Sequence, residues 1–376
     1  LILAGTGLAF LLPLLNPQRA TILTAFALLS AFGVNVLVWT EGNLVLPLAS
    51  GLLMIAMLFA LNMSYGFFVE SRAKRQITGL FGQYVPPELV EEMSRDPAAF
   101  SMEGESRVVS VLFTDVRGFT TISEGLEPKA LSKLMNEFLT PLTRIIYKHR
   151  GTIDKYMGDA IMAFWNAPLD VADHPVQACD GALEMRKRMA LLNAELAAEA
   201  KAAGRPFRPL DVGIGIATGM ATVGNMGSDL RFDYSVLGDS VNLASRIEGL
   251  TRYYDTPILL SERTALQGAG HLATLAVDTV RVKGKDNAEN IFALVGGAEV
   301  AADIQFKSFK QRLGELQASY RARDWTAAGA AGAALAESGG RYGLDRVLAI
   351  YAERIAAYVR DPPPADWDGA FHMETK

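Results

Sequence analysis

Residues 152–165 read "TIDKYMGDAIMAFW", two short runs of strand-forming residues joined by a glycine and an aspartate. Gly158 permits the tight turn of a β-hairpin, and the alternation that follows it is typical of a half-buried strand. Such a hairpin presents the carboxylate of Asp159 at the end of a sheet. The stretch therefore predicts an antiparallel strand pair with an acidic group at its tip.

A second acidic side chain ends another apolar run, "RVVSVLFTDV" at 107–116. This residue, Asp115, has no other acid or histidine beside it in "FTDVRGFT", so Asp159 is the best candidate for its partner. Two such carboxylates can share two magnesium ions, because hard cations take oxygen ligands and a polyphosphate supplies the remainder. An aspartate after glycine is also ordinary turn chemistry, and the hairpin alone leaves that interpretation open.

Around these two motifs, short strand-like runs alternate with long helical patterns. Helices are expected at 128–149, about 174–200 and 239–250, and further strands at 210–219, 220–225, 256–260, 276–284 and 289–295. Strands and helices mixed in this order predict an α+β fold with helices on a mixed sheet. The glycines of "GIGIATG", 213–219, have the wrong spacing for a dinucleotide loop, and we interpret them as strand glycines that allow close packing.

The N-terminal part of the chain differs sharply in composition from the rest. The chain has 376 residues, of which 50 % are hydrophobic, and residues 1–69 contain only two charged residues, Arg19 and Glu41. The apolar runs are 1–15, 20–39 and 44–68. Two of them reach the roughly 20 residues that a helix needs to cross a bilayer. We expect three transmembrane helices, the first truncated; a buried helical hairpin is the alternative.

The basic residues of "SRAKRQ", 71–76, follow the third apolar run, whereas the preceding connection carries only Glu41. The positive-inside rule then predicts a multi-pass membrane protein, in contact with lipid, with everything after Glu70 in the cytoplasm. The chain opens on Leu with no basic stretch before its apolar run, so we expect a fragment preceded by another segment and not a signal peptide. Pro86 and Pro87 are expected to start a second juxtamembrane helix, which acts either as a coupling element or as a passive spacer.

Three further features limit the possible functions. The net charge of −5 argues against general nucleic-acid binding, so a polyanionic ligand needs local cations. The single cysteine, Cys179, excludes an internal disulfide and is expected to be an inert buried thiol. The Ala-rich C-terminal part is expected to form a helical hairpin without chemistry of its own.

A third motif, "YSVLGDSVNLASRIEGL" at 234–250, follows the other two. Together, in this order, the three resemble the catalytic domain of class III nucleotidyl cyclases over about Arg107 to Val295, which implies a ferredoxin-like α+β domain. The membrane segment, "YVPPELVEEM" and "PPPADWDG" resemble bacterial receptor cyclases that carry a sensor domain outside the membrane, which implies a location in the bacterial inner membrane. The expected organisation is transmembrane helices (1–69), juxtamembrane coupling helices (70–104), cyclase domain (105–297) and C-terminal helical extension (298–376).

The resemblance implies a metal centre and an activity. Asp115 and Asp159 match the two metal-binding aspartates, with the backbone carbonyl of Val116 as an extra ligand, and the cofactors would be two Mg²⁺ or Mn²⁺ ions. The implied reaction converts ATP into 3′,5′-cyclic AMP and pyrophosphate by attack of the ribose 3′ oxygen on the α-phosphorus. A catalytically silent receptor scaffold is the alternative, and the retention of both aspartates argues against it.

The resemblance also implies a role for five other side chains. Lys155 matches the base-selecting lysine, and Ser235 stands where many relatives have Asp and others have Thr or Ser. Asn242 matches the ribose-orienting asparagine, Arg246 the transition-state arginine, and Lys283 the lysine that holds the terminal phosphates. In the family, the half with the aspartates and the half with Asn242, Arg246 and Lys283 meet only across a head-to-tail interface, so a homodimer with two composite sites is implied.

The residue types at the base position favour adenine. Lys155 can donate to the ring N1, and the Ser235 hydroxyl can accept from the exocyclic amine; guanine presents the opposite pattern at both atoms. In relatives that use GTP, an acidic side chain usually replaces the lysine. A hydroxyl can also turn round and donate, so a guanylyl cyclase of the same fold stays open as the alternative.

Overall fold

The computed structural model describes residues 2–15, 17–44, 47–81, 84, 91, 104–228, 231–281 and 288–372. The helices up to residue 81 form one compact unit, and Tyr84 with the residues from 104 onward forms the other. Three residues discussed above, Pro86, Pro87 and Lys283, lie outside the described residues.

The first unit consists of helices α1 (Ile2–Leu11), α2 (Pro17–Gly42) and α3 (Leu48–Phe81). Within the described residues two stretches, Gln18–Gly42 and Leu48–Tyr65, are long and apolar enough to cross a membrane. The prediction of three such helices is wrong. Helix α1 has ten residues, about 15 Å or half the thickness of a hydrocarbon core, and a 3₁₀ turn follows it directly.

The second unit is built on one sheet, which in the described part of the chain has nine strands. They are β1 (Glu105–Val116), β2 (Thr152–Met157), β3 (Ala160–Trp165), β4 (Val212–Ser228), β5 (Arg231–Leu237), β6 (Ile258–Ser261), β7 (Ala273–Arg281), β8 (Glu289–Gly296) and β9 (Phe371–His372). Their order is β2-β3-β1-β4-β6-β8-β7-β9, with β5 paired to β4 outside this path. The β4–β6 and β7–β9 pairs are parallel and the others antiparallel, which confirms the mixed sheet of an α+β fold.

Helices connect these strands and continue beyond them. They are α4 (Phe119–Ser123), α5 (Pro128–Lys148), α6 (His174–Ala202), α7 (Asp239–Tyr254), α8 (Glu262–Gln267), α9 (Ala298–Ala302), α10 (Ile304–Arg321), α11 (Trp325–Gly339) and α12 (Asp345–Arg360). The main core joins α5 and α6 to the sheet through fully buried side chains such as Leu112, Phe138, Trp165 and Met185. Cys179 lies in this core, where burial raises the pKa of its thiol, so the expected inert thiol is confirmed.

Two strand predictions need correction. The runs 210–219 and 220–225 were predicted as separate strands, but β4 is one strand of 17 residues. Strand β4 stays continuous because each part of it has a pairing partner. Its first part pairs with β1, and its last part pairs with β5 in a hairpin. Strand β5 was not predicted at all, although it carries Ser235.

The glycines of β4 allow helix α7 to lie directly on the sheet, which confirms their interpretation as packing residues. A Cβ atom on Gly215 would lie 2.2 Å from the backbone nitrogen of Glu248 and 2.5 Å from the carbonyl oxygen of Ala244. A Cβ atom on Gly213 would lie 2.3 Å from Oγ1 of Thr251. The position of α7 on the sheet therefore depends on the absence of side chains at these two sites.

We predict that Gly215→Ala lowers the free energy of unfolding by at least about 2 kcal/mol, because backbone atoms of α7 cannot move aside as a flexible side chain would. The matched control is Gly249→Ala, on the exposed side of α7 with nothing within 4 Å of the added methyl group. In a helix this change raises the free energy of unfolding by up to about 1 kcal/mol. Urea unfolding of both variants checks the prediction, which equal effects would contradict.

The C-terminal extension packs on the far edge of the sheet. It contains three main helices, α10, α11 and α12, and not the predicted hairpin of two, and β9 covers the edge strand β7. The buried carboxylate of Asp278 accepts hydrogen bonds from Oη of Tyr254 at 2.6 Å and Nη1 of Arg354 at 2.7 Å. Since Tyr254 ends α7, the extension holds the helix that carries Asn242 and Arg246.

Candidate active site

The structure brings Asp115 and Asp159 together. Strands β1 and β3 are antiparallel with Thr114 opposite Ile161, so the end of β1 meets the turn that precedes β3. The backbone N–H of Val116 donates to Oδ2 of Asp159 at 3.3 Å, and the two carboxyl groups lie within hydrogen-bonding reach of each other. Burial raises the pKa of the Asp115 carboxyl, and the charge of Asp159 raises it further. Two carboxylates held this close favour a cation between them.

Helix α7 adds two charged residues that the sequence analysis missed. Nη2 of Arg252 lies 3.9 Å from Oδ2 of Asp115. Burial, followed by the charge of Asp115, raises the pKa of the Glu248 carboxyl to about 7. The signal was present in the sequence, since Glu248 and Arg252 are four residues apart and therefore share one face of the helix.

Asn242 and Arg246 lie on a different face of the same helix. Asn242 is exposed and Arg246 is half-buried. The two residues are four positions apart and therefore share one face of the helix. Glu248 follows Arg246 by two positions, a rotation of about 200° around the helix axis, and so lies on nearly the opposite side. Among the described residues, no hydrogen bond or ion pair joins either side chain to Asp115 or Asp159. Within the described part of one chain, the two aspartates are thus paired but are not bonded to Asn242 or Arg246.

Lys155 and Ser235 meet at a third residue, Asp154. Oγ of Ser235 donates to Oδ2 of Asp154 at 2.6 Å, and Nζ of Lys155 lies 3.1 Å from Oδ1. The Asp154 side chain is completely buried, whereas that of Lys155 is 43 % exposed. The structure therefore brings Lys155 and Ser235, the two residues predicted to select the base, to one carboxylate that the sequence analysis did not identify. The available signal was an acidic residue inside an otherwise apolar and basic strand.

Tyr84 lies against both strands that carry this pair. Its carbonyl oxygen accepts from the backbone N–H of Ile153 on β2 at 3.0 Å, and its hydroxyl donates to Oδ1 of Asp233 on β5 at 3.4 Å. Its ring centroid is 6.3 Å from that of Tyr234. A residue that precedes the sheet in the chain thus contacts the neighbours of Lys155 and Ser235.

The mixed sheet thus brings two acidic side chains together where the ends of its strands meet, and their carboxylate oxygens suit a divalent cation. Residues 102–296, just over half of the chain, match the family model described as adenylate and guanylate cyclase catalytic domain. The chain belongs to this family. The resemblance to class III nucleotidyl cyclases is thereby confirmed, and the family description itself names both adenine and guanine enzymes.

Several proteins are similar to this chain. "Adenylate cyclase 1" of Rhizobium meliloti (strain 1021) is 34 % identical over 217 residues, which cover 57 % of this chain and 32 % of the relative. "Adenylate cyclase" of Anabaena cylindrica is 34 % identical over 223 residues, covering 58 % of this chain and 42 % of the relative. The chain therefore spans about a third to two fifths of the length of these relatives.

Two solved structures are also similar to part of this chain. The adenylyl cyclase CyaB from P. aeruginosa is 36 % identical, with a TM-score of 0.48, over 52 % of this chain and 96 % of that one. The guanylyl cyclase Cya2 is 34 % identical, with a TM-score of 0.48, over 53 % of this chain and 96 % of that one.

Proposed function

We propose that this protein is an adenylyl cyclase, which converts ATP into 3′,5′-cyclic AMP and pyrophosphate at composite sites of a homodimer. The observation that carries the proposal is the juxtaposition of Asp115 and Asp159 at the sheet end of a domain of the cyclase family. The two relatives described above, both named adenylate cyclases, support the choice of reaction.

The donor set at this point fits divalent metal ions. Asp115 and Asp159 offer carboxylate oxygens, the ligands that Mg²⁺ and Mn²⁺ prefer. Burial, followed by the charge of Asp159, raises the pKa of Asp115, and a bound cation would oppose that rise by favouring the ionised carboxylate. The backbone carbonyl of Val116 is the third proposed ligand. When bound, two such ions neutralise the triphosphate and favour ionisation of the ribose 3′ hydroxyl. The two aspartates would hold these ions in place.

The remaining roles follow from the positions of the side chains. Lys155 is partly exposed and Ser235 is buried, and both contact the carboxylate of Asp154, which supports binding of a purine edge by the two residues together. Arg246 would meet the charge that develops on the α-phosphate, and Asn242 would orient the ribose. Lys283, outside the described residues, is proposed to bind the terminal phosphates.

The arrangement of α7 supports a site shared between two chains. Among the described residues no hydrogen bond or ion pair joins Asn242 or Arg246 to the aspartates of their own chain, which favours their presentation by a second copy. A head-to-tail homodimer would form two such sites, each with the aspartates of one chain and the α7 groups of the other.

We also propose that the protein is a membrane receptor. The two apolar helices, followed by the basic residues 71–76, support an inner-membrane location in contact with lipid, with the cyclase domain in the cytoplasm. The proposed organisation keeps the boundaries 1–69, 70–104, 105–297 and 298–376, now with two membrane helices. A sensor domain outside the membrane would supply the signal, and with two membrane helices it would need a further crossing to join the chain ahead of α2.

The test is to incubate the purified, detergent-solubilised chain with ATP or GTP in the presence of Mg²⁺ or Mn²⁺ and to identify the products. We expect cyclic AMP and pyrophosphate in equal amounts from ATP, and loss of both on adding a chelator. Asp159→Asn is the control for a contaminating enzyme. Formation of cyclic GMP alone would favour the guanylyl alternative, and formation of neither cyclic nucleotide would refute the cyclase proposal.

A further inference from the structure

We propose that Asp154 is a positioning residue for base selection, which fixes the direction of the Ser235 hydroxyl so that this hydroxyl can accept from a purine but cannot donate to it. The inference rests on the proposed function and concerns the choice between ATP and GTP. A serine alone does not distinguish the two bases, because a free hydroxyl can rotate and bind either of them. Asp154 would supply the missing discrimination.

The first observation is how the chain buries an aspartate in an edge strand. Strand β2 has a bulge between Ile153 and Lys155, so Asp154 is an extra residue without a partner in the ladder to β3. Ile153 and Asp154 are both buried and Lys155 is exposed, which a regular alternation would not produce. The bulge therefore directs the Asp154 carboxylate inward, toward β5.

The second observation is the hydrogen bonding of this carboxylate. Its Oδ2 accepts from Oγ of Ser235 at 2.6 Å and from the backbone N–H of Val236 at 3.4 Å. The short distance to Ser235 is that of a charge-assisted hydrogen bond. Because an ionised carboxylate has no proton to give, the serine hydroxyl must be the donor in this pair.

Counting protons then gives the selectivity. A hydroxyl has one proton, and Ser235 commits it to Asp154, so only the lone pairs of its oxygen remain available. The exocyclic amine of adenine can donate to these lone pairs. The carbonyl oxygen of guanine would instead meet another acceptor, and leaving both unpaired in a closed site is unfavourable.

Lys155 completes the arrangement. Its Nζ lies 3.1 Å from Oδ1 of Asp154, but at an angle that leaves this buried oxygen without a hydrogen bond. The contact is therefore an ion pair that keeps the ammonium group beside Ser235 while its N–H groups stay available for the ring N1. One carboxylate sets both the direction of the hydroxyl and the place of the lysine.

The experiment compares kcat/KM for ATP and for GTP in the full chain and in Asp154→Asn, Asp154→Ala, Ser235→Ala and the double variant Asp154→Asn/Ser235→Ala. The ATP/GTP ratio cancels any loss of folded protein, since both substrates use the same sample. In Asp154→Asn the amide oxygen faces the lysine and the amide N–H groups face Ser235. Because these N–H groups cannot accept a hydrogen bond, the Ser235 hydroxyl no longer donates to residue 154 and becomes free to donate to guanine. We expect the ratio to fall about tenfold in either Asp154 variant, the effect of one mispaired hydrogen bond.

The double variant separates positioning from a structural role. If Asp154 acts through Ser235, Asp154→Asn changes the ratio no further once Ser235 is alanine, and Ser235→Thr, which keeps the hydroxyl, preserves the ratio of the parent. Equal losses for ATP and GTP in Asp154→Asn, or an undiminished effect in the Ser235→Ala background, would overturn the inference.

Equilibrium binding of ATP and GTP distinguishes failure of this inference from failure of the proposed function. A parent chain that prefers ATP in binding but forms no cyclic nucleotide refutes the cyclase proposal, and the binding ratios of the same variants then decide the role of Asp154. A parent chain that shows no preference for ATP overturns the inference directly.

Discussion

Asp115→Ala and Arg246→Ala chains will each be inactive alone and will regain activity when they form a heterodimer. Each substitution removes a group from a different half of the proposed composite site. One site of the heterodimer then carries both defects, and the other carries none. We expect each homodimeric variant to retain less than about 1 % of the parent's kcat, since metal ligands and transition-state donors contribute factors of 10² or more. The isolated heterodimer should show about half of the parent's activity, because one of its two sites is intact.

The experiment uses co-expression of two differently tagged chains and two successive affinity steps, so that only heterodimers are assayed. The matched control is the heterodimer of Asp115→Ala with Asp159→Ala. Both residues belong to the same metal centre in one chain, so each site of this heterodimer lacks one aspartate and stays inactive. A first heterodimer as inactive as its components, or recovery in the control, would contradict the shared-site model.

Lys155→Glu will lower kcat/KM for ATP by at least about a hundredfold and will lower that for GTP much less. The substitution replaces a donor to the adenine N1 by an acceptor, which suits the N–H group of guanine. It also places a second carboxylate beside buried Asp154, whose Oδ1 lies 3.1 Å from the lysine ammonium in the parent chain. Like charges at this distance weaken the site further for a polyanionic nucleotide.

The control for the charge change is Lys129→Glu, at the exposed start of α5. It alters the net charge by the same amount away from Asp154, so both substrates should be turned over as in the parent chain. Steady-state assays with both nucleotides check the prediction. A parent chain that already prefers GTP would contradict the assignment of Lys155.

The pairing of Asp115 with Asp159 was predictable because it depends on local rules. A Gly-Asp turn fixes the hairpin, and an apolar run that ends in Asp115 makes the neighbouring strand. Antiparallel pairing of β1 with β3 then brings the two carboxylates to one end. Short-range patterns and sheet geometry were enough here.

The residues that the sequence analysis missed depend on longer-range geometry. Strand β5 pairs with the end of β4, a part of the chain that the prediction of two short strands at 210–219 and 220–225 did not extend far enough to include. The position of Asp154 requires a bulge and a strand more than 70 residues away, which no periodicity of β2 reveals. Glu248 and Arg252 were detectable as a helical pair, but their proximity to Asp115 depends on how closely α7 approaches β4.

The central claim is that Asp115 and Asp159 hold two divalent cations around one nucleotide. Counting bound Mn²⁺ by electron paramagnetic resonance, with a non-cyclisable ATP analogue present, tests it most directly. The account predicts two Mn²⁺ per bound nucleotide in the parent chain and at most one, carried by the triphosphate, when both aspartates are changed to asparagine. An equal number of bound ions in the two proteins would contradict it.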